Sequence, residues 1–329
     1  MAMQQALLMI GGGLQPFSFN SFTVTLPSTQ KWAACAYDQA SSRFCLSVFD
    51  NASAKAAYST DYGASWTEST PTAGRRWSNL ARLPGTGFSM VVDNANPSLS
   101  NYGSGASWTA SNLSTSLISY GDLVYDGGSL LLIPVFGTNS SETSSDSVTW
   151  TTGGTLPKSG PFRNLAAINT PSLIAVATPN DSTAVGAYST DRGANWSNST
   201  FPSAETSWAV GDNGTGNVNN SPRFMAVALG GTATAYSDDG VNWTSGGALP
   251  ATRNWTAVCY CINSWIALAY NTDKGAYSTD GGANWTEITF AATIPTGLSD
   301  LHPGDTNGQL YRCIVPLYDT DDVLVITTA

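Results

Sequence analysis

Apolar residues fall in short alternating or continuous runs separated by Asn, Asp, Ser and Gly, and no helical period stands out. Trp32 to Tyr37, Phe44 to Phe49, Lys55 to Ser59 and Trp66 to Thr70 read as four consecutive strands. The runs Leu130 to Phe136, Ser172 to Ala177 and Trp265 to Ala269 are apolar enough to be strands buried on both faces. The pattern predicts an all-β chain of many short strands.

The strands recur with a period. Ala57-Tyr-Ser-Thr-Asp-Tyr-Gly-Ala-Ser-Trp66 returns as Ala187-Tyr-Ser-Thr-Asp-Arg-Gly-Ala-Asn-Trp196 and Ala276-Tyr-Ser-Thr-Asp-Gly-Gly-Ala-Asn-Trp285. Ala235-Tyr-Ser-Asp-Asp-Gly-Val-Asn-Trp243 is a copy shorter by one residue, and weaker copies end at Trp108 and Trp150. From Trp66 onward the tryptophans are spaced by 42, 42, 46, 47 and 42 residues, close to the length of a four-stranded propeller blade. Ser21-Phe-Thr-Val-Thr-Leu-Pro27 matches the outer strand after Trp66 but has no inner strands before it, while the C-terminal stretch has inner strands and no outer one. The expected architecture is therefore a seven-bladed β-propeller of four-stranded antiparallel blades. Its ring is closed by the N-terminal strand joining the C-terminal blade, which leaves no open sheet edge between the chain ends.

The decapeptide resembles the Asp-box, S-x-D-x-G-x-x-W, of the BNR-repeat sialidase-like propellers. The match is complete at Ser59, Asp61, Gly63 and Trp66, at Ser189, Asp191, Gly193 and Trp196, and at Ser278, Asp280, Gly282 and Trp285; it is partial at Ser237, Asp239 and Trp243. Ser and Asp side chains suit a tight turn because they accept its backbone N–H groups, Gly supplies a positive φ, and Trp wedges the turn onto the blade. These residues read as folding chemistry, and no catalytic residue is assigned.

In an up-and-down blade the first-to-second and third-to-fourth turns share one side, so the decapeptides mark the back of the ring. The front receives the links between blades and the second-to-third loops. Lys31, Arg76, Arg163 and Arg253 each stand one or two residues before an innermost strand there, and Asp50, Asp93, Asp181 and Asp273 lie in the second-to-third loops near the same rim. These eight residues are the candidate ligand-binding set, suited to an anionic sugar through bidentate Arg contacts. The plainer reading is that every blade solves the same packing problem with similar residues. Resemblance to sialidases implies an arginine triad, a Tyr paired with Glu, and an Asp acid. The F-R-I-P segment of such enzymes is absent, with Gly160-Pro-Phe-Arg-Asn164 the nearest approach. Of four Glu, Glu68 and Glu287 belong to outer strands, leaving Glu142 and Glu205 for the front.

Composition narrows the rest. Only 11% of residues are charged and the net charge is -10, which argues against nucleic acid or anionic lipid as partner. A single His, His302, removes multi-histidine metal sites, and no cofactor or metal is expected; a calcium site at Asp93, Asn94 and Asn96 has only loop composition behind it. Five cysteines include no C-x-x-C pair, although a hairpin turn at Gln39 to Ser42 would set Cys35 beside Cys45. No signal peptide or membrane span is read, and membrane insertion is not expected. Residues 1–15, apolar and ending in a Gly run, read as a tether, and 16–329 as the propeller. The sequons at Asn195, Asn242 and Asn284 fall inside the turns, where a glycan fits poorly. Hydroxyl-rich, Lys-poor composition resembles that of propellers carried by tailed-bacteriophage virions. That resemblance implies a non-enzymatic virion protein of a tail fibre or capsid surface. Its expected partners are other virion proteins, met through residues 1–15, and a cell-surface glycan. The alternative is a sialidase-like glycoside hydrolase acting on surface glycans.

Overall fold

In this computed structural model the described residues are 5–11, 18–24, 27–28, 32–38, 41–48, 54–61, 63–72, 77–92, 99–114, 119–136, 139–158, 161–169, 174–213, 224–261, 264–269, 272–289, 314–317 and 322–328. The chain starts with β1 (Gln5–Gly11) and β2 (Ser18–Val24), followed by a first sheet of β3 (Trp32–Asp38), β4 (Arg43–Val48), β5 (Ala56–Ser59) and β6 (Thr67–Ser69). The second holds β7 (Trp77–Leu83), β8 (Gly87–Val92), β9 (Leu99–Gly103) and β10 (Trp108–Asn112). The third holds β11 (Ser119–Tyr125), β12 (Leu130–Phe136), β13 (Ser140–Ser144) and β14 (Thr151–Thr155). The fourth holds β15 (Phe162–Ile168), β16 (Ile174–Pro179), β17 (Val185–Ser189) and β18 (Ser197–Thr200). Two further meanders follow: β19 (Trp208–Asp212), β20 (Phe224–Gly231), β21 (Thr234–Ser237), β22 (Thr244–Ser245), then β23 (Arg253–Cys261), β24 (Ser264–Ala269), β25 (Lys274–Ser278), β26 (Thr286–Thr289). They merge into one eight-stranded sheet because the end of β20 pairs with the start of β23. The last strands are β27 (Ile314–Leu317) and β28 (Asp322–Thr328).

All strand pairs between named strands are antiparallel, and the innermost strands β3, β7, β11, β15, β19, β23 and β27 touch one another in that order, with β27 returning to β3. The sheets therefore stand around a common axis, inner strands at the centre. Burial follows the radius: β16 and β24 are buried throughout, whereas β18 and β26 show one buried residue in four.

The ring closes in a sheet ordered β2-β1-β28-β27. Phe22 and Leu324 share this sheet, but β1 lies between their strands, with Leu7 opposite both Phe22 and Ile326. Residues 5–11, expected within a tether, thus form a strand hydrogen-bonded on both sides. The reason is that two C-terminal strands leave β28 with an open edge, and β1 satisfies its backbone groups.

The apolar core lies between sheets. Phe201 of the fourth sheet stacks on Trp243 of the next at 4.3 Å and meets Trp208 at 5.2 Å, in a cluster with Val176, Val210 and Phe224. Each fully buried side chain of this size contributes about 1.5–3 kcal/mol, so stability is spread over the seams between neighbours.

The repeated turns bind those seams. Ser59, Ser189 and Ser278 accept the amides of Gly63, Gly193 and Gly282 at 2.8, 2.9 and 2.8 Å. The glycines have φ of 85°, 76° and 90°, where a side chain would be strained. Asp61, Asp191 and Asp280 accept the amides four residues on. Beyond this local pattern, Gly154 N–H donates to Gly193 O at 2.6 Å and Gly247 N–H to Gly282 O at 2.8 Å, from the outer end of one sheet to the turn of the next. A Cβ on Gly154 would lie 2.4 Å from Ala194 O, so the Gly-Gly pairs after Trp150 and Trp243 permit a backbone approach no other residue allows.

The β3–β4 register places Cys35 opposite Leu46 and Cys45 opposite Ala36. The expected hairpin was off by one residue, which moves the two cysteines to opposite faces of the sheet and rules out a bridge within this register. Burial pushes the Cys45 thiol far up, keeping it protonated and inert.

Candidate functional site

Four of the eight candidate ligand residues, Lys31, Arg76, Asp50 and Asp93, lie outside the described residues, as do Asn94, Asn96 and His302. Arg163 is placed by its backbone, in the irregular register between Phe162 and Leu165 at the start of β15. Similar irregularities open β3, β7, β11 and β23, so the innermost strands enter from the front with a shared break in pairing.

Of the four candidate cations, Arg253 is the one whose side chain lies among the described residues. Arg253 begins β23 ahead of its break, beside the end of β20, and donates to Glu287 on the outer strand β26 at 2.7 Å. Its guanidinium is thus directed to the outer strand of its own sheet. Asp273 lies 3.5 Å from Lys274, which also donates to Thr289 at 2.8 Å.

Asp181 belongs to the best-fixed part of the front. Lys158, in the link before β15, donates to both Asp181 oxygens at 2.9 and 2.7 Å and to Thr183 at 2.8 Å, using all three ammonium protons. Its ammonium sits 5.2 Å from the Phe162 ring centroid, and Asn180 N–H donates to Pro161 O at 2.9 Å, tying the same loop to the same link. Burial raises the Asp181 pKa, but hydrogen bonds from Lys158 and Thr183 and the Lys158 charge outweigh it and hold the carboxyl below its ordinary value. Sequence reading missed Lys158, since nothing near it in the chain announces a partner in a loop beyond the next two strands.

Each glutamate accepts a hydrogen bond within the fold. Glu142, expected toward the front, is wholly buried and accepts the Ser114 amide at 2.9 Å across the seam between the second and third sheets. Asn101 does the same one sheet earlier, accepting the Thr72 amide at 3.3 Å and its hydroxyl at 2.9 Å. Glu205 lies in the link before β19 and accepts the Ser203 hydroxyl at 2.9 Å. Glu68 accepts Lys55 at 2.9 Å and Ser28 at 2.8 Å.

On the opposite side, Asp38 holds Arg82 at 2.8 Å and Asp126 meets Arg192 at 3.3 Å, each pair crossing a seam. The sequon amides Asn195, Asn242 and Asn284 donate to Asp191, Asp239 and Asp280 at 2.7 Å each, so the atom a glycan would occupy is engaged in the turn. Among the described residues no group of three His, Cys, Asp or Glu side chains is placed to hold a metal ion, and no helix is long and apolar enough to cross a membrane.

No protein-family model and no curated protein matches the chain. Among solved structures it is similar to YCF48 bound to D1 peptide, with 18% identity and a TM-score of 0.61 over 92% of this chain and 93% of that one. It is also similar to a streptogramin B lyase, with 10% identity and a TM-score of 0.67 over 99% and 98%. Virginiamycin B lyase from Staphylococcus aureus gives 10% identity and 0.67 over 98% of each chain. The fold is an all-β propeller. At these identities the likeness extends to the fold alone, and the sheets described above are its blades.

Proposed function

We propose that the chain is a seven-bladed, Asp-box-type propeller working as a non-enzymatic interaction module of a bacteriophage virion. Its front is offered to a host glycan or a neighbouring virion protein. The number of blades rests on the closed contact order of the innermost strands from β3 to β27. The observation that carries the non-enzymatic reading concerns the carboxylates: of the four glutamates of the chain, Glu68, Glu142 and Glu287 accept hydrogen bonds from other strands or links, and Glu205 accepts one from Ser203 within its own link. The front charges described around Lys158, Arg253 and Lys274 are likewise paired within the fold. A propeller of similar fold is recorded with a peptide, which suits use of this architecture as a binding platform. Composition supports the virion setting.

The test has two arms. The purified protein is incubated with a panel of aryl glycosides, sialosides included, and purified particles of the phage whose genome encodes the chain are analysed by mass spectrometry. The expected results are no fluorophore release above buffer and stoichiometric presence in the particle. Turnover abolished by Glu205→Gln would replace this reading with the glycosidase one, and absence from particles would remove the virion setting.

A further inference from the structure

The geometry points to strand exchange between two copies of this chain, with the N-terminal hairpin of one copy closing the ring of the other. Within the four-stranded blades, β28 and β1 are the only neighbours among the described residues that the chain does not connect in sequence. Five residue pairs, from Gln5 opposite Thr328 to Met9 opposite Leu324, make this junction. On its other side β1 pairs with β2 over seven residues, from Gln5 opposite Val24 to Gly11 opposite Ser18. Among the described residues, one ladder of backbone pairing joins the hairpin to the rest of its own ring.

An empty seam is unfavourable. It would expose the β28 edge, whose sequence Val323-Leu-Val-Ile326 is uninterrupted apolar, and an edge of that kind seeks another strand. The hairpin presents Ala6-Leu-Leu-Met-Ile10, equally apolar, so a ring that opens is best closed by a hairpin of this sequence, whichever chain supplies it. A second copy offers the same ladder with the same register and no new surface to evolve, which makes exchange a low-cost route to a dimer. Seven residues, 25–31, separate the hairpin from β3, and a chain of that length spans about 24 Å when extended. This inference is independent of the ligand and of the virion setting.

The experiment uses two full-length copies distinguished by a tag, one carrying Leu8→Cys and the other Val325→Cys, positions directly opposed in the ladder. They are mixed, concentrated, incubated and oxidised, and the cross-linked peptides are identified by mass spectrometry. A single chain carrying both substitutions reports whether the ladder itself is formed. The expected result is an intramolecular link in the doubly substituted chain and a mixed-tag link between β1 and β28 that rises at least tenfold with incubation at high concentration. A doubly substituted chain that closes on itself while the mixed copies never join overturns the exchange. A doubly substituted chain that forms no link between β1 and β28, either within one copy or between copies, overturns it as well, because the ladder on which it rests is then absent.

Discussion

The hydroxyls of Ser89 and Ser147 meet at 2.6 Å in the buried seam between the second and third blades. Ser147 stands where the other turns carry glycine and keeps the left-handed backbone, with φ of 60°. Elsewhere that glycine abuts a larger side chain of the preceding blade. A Cβ on Gly193 would lie 2.6 Å from Leu131, one on Gly240 2.6 Å from Val176, and one on Gly282 2.3 Å from Met225. Ser89 occupies the strand position of those three residues, each opposite the Tyr or Thr that precedes the turn. One seam thus exchanged a large residue facing glycine for two serines that share a hydrogen bond.

This pairing predicts strong coupling. Ser89→Leu alone overfills the seam and destabilises by about 1–3 kcal/mol. Ser147→Gly alone relieves the backbone but leaves a buried hydroxyl without its partner, a loss of about 1–3 kcal/mol that the relief partly offsets. The double substitution restores the arrangement of the other seams and melts within a few degrees of the parent. Thermal melts of the four proteins give the coupling, and strictly additive changes would show that the two sites are independent.

Gly154→Ala tests the approach between blades. Its Cβ would lie 2.4 Å from the Ala194 carbonyl, a backbone atom that cannot swing aside, and the bond from Gly154 N–H to Gly193 O must lengthen. A loss of about 2–4 kcal/mol is expected, comparable to overpacking plus a weakened hydrogen bond between blades. Ala110→Gly on an exposed outer strand serves as control, with a far smaller change in urea midpoint.

The turn carboxylates set the acid limit. Burial raises the pKa of Asp61, Asp191, Asp239 and Asp280, but the hydrogen bonds each accepts outweigh it and leave the folded values below the ordinary one. At Asp146 backbone hydrogen bonds from Thr149 and Val148 are the leading cause of the same lowering. Groups depressed by folding stabilise the native state above their unfolded pKa of about 3.9, and that contribution disappears as pH falls through the folded values. Melting temperature should be nearly level from pH 5 to 8 and drop steeply below about pH 4. A drop beginning near pH 6 would point to some other titrating group.

The turns were legible in the sequence because their bonds are local: Ser59, Asp61, Gly63 and Ser65 lie within one loop. The seams were not, since the partners come from different repeats, as when Trp196 donates to Ser141 at 3.1 Å or Leu165 donates its amide to the buried Asp122 at 2.9 Å. The pair of Arg253 with Glu287 was not legible either, because sequence gives the order of residues in a link but not the point at which β23 breaks its pairing. The N-terminal strand was hidden by Gly11, Gly12 and Gly13, which read as a flexible joint, and by a partner at the other end of the chain.

The closure of the ring carries both the architecture and the distinction between its two sides. Deleting residues 1–15 removes β1 and leaves β2 intact in sequence. The account predicts a melting temperature lowered by ten degrees or more, together with new binding of a hydrophobic dye at the exposed β28 edge. A truncated protein that melts as the full chain does, without dye binding, would contradict it and return those residues to the role of a tether.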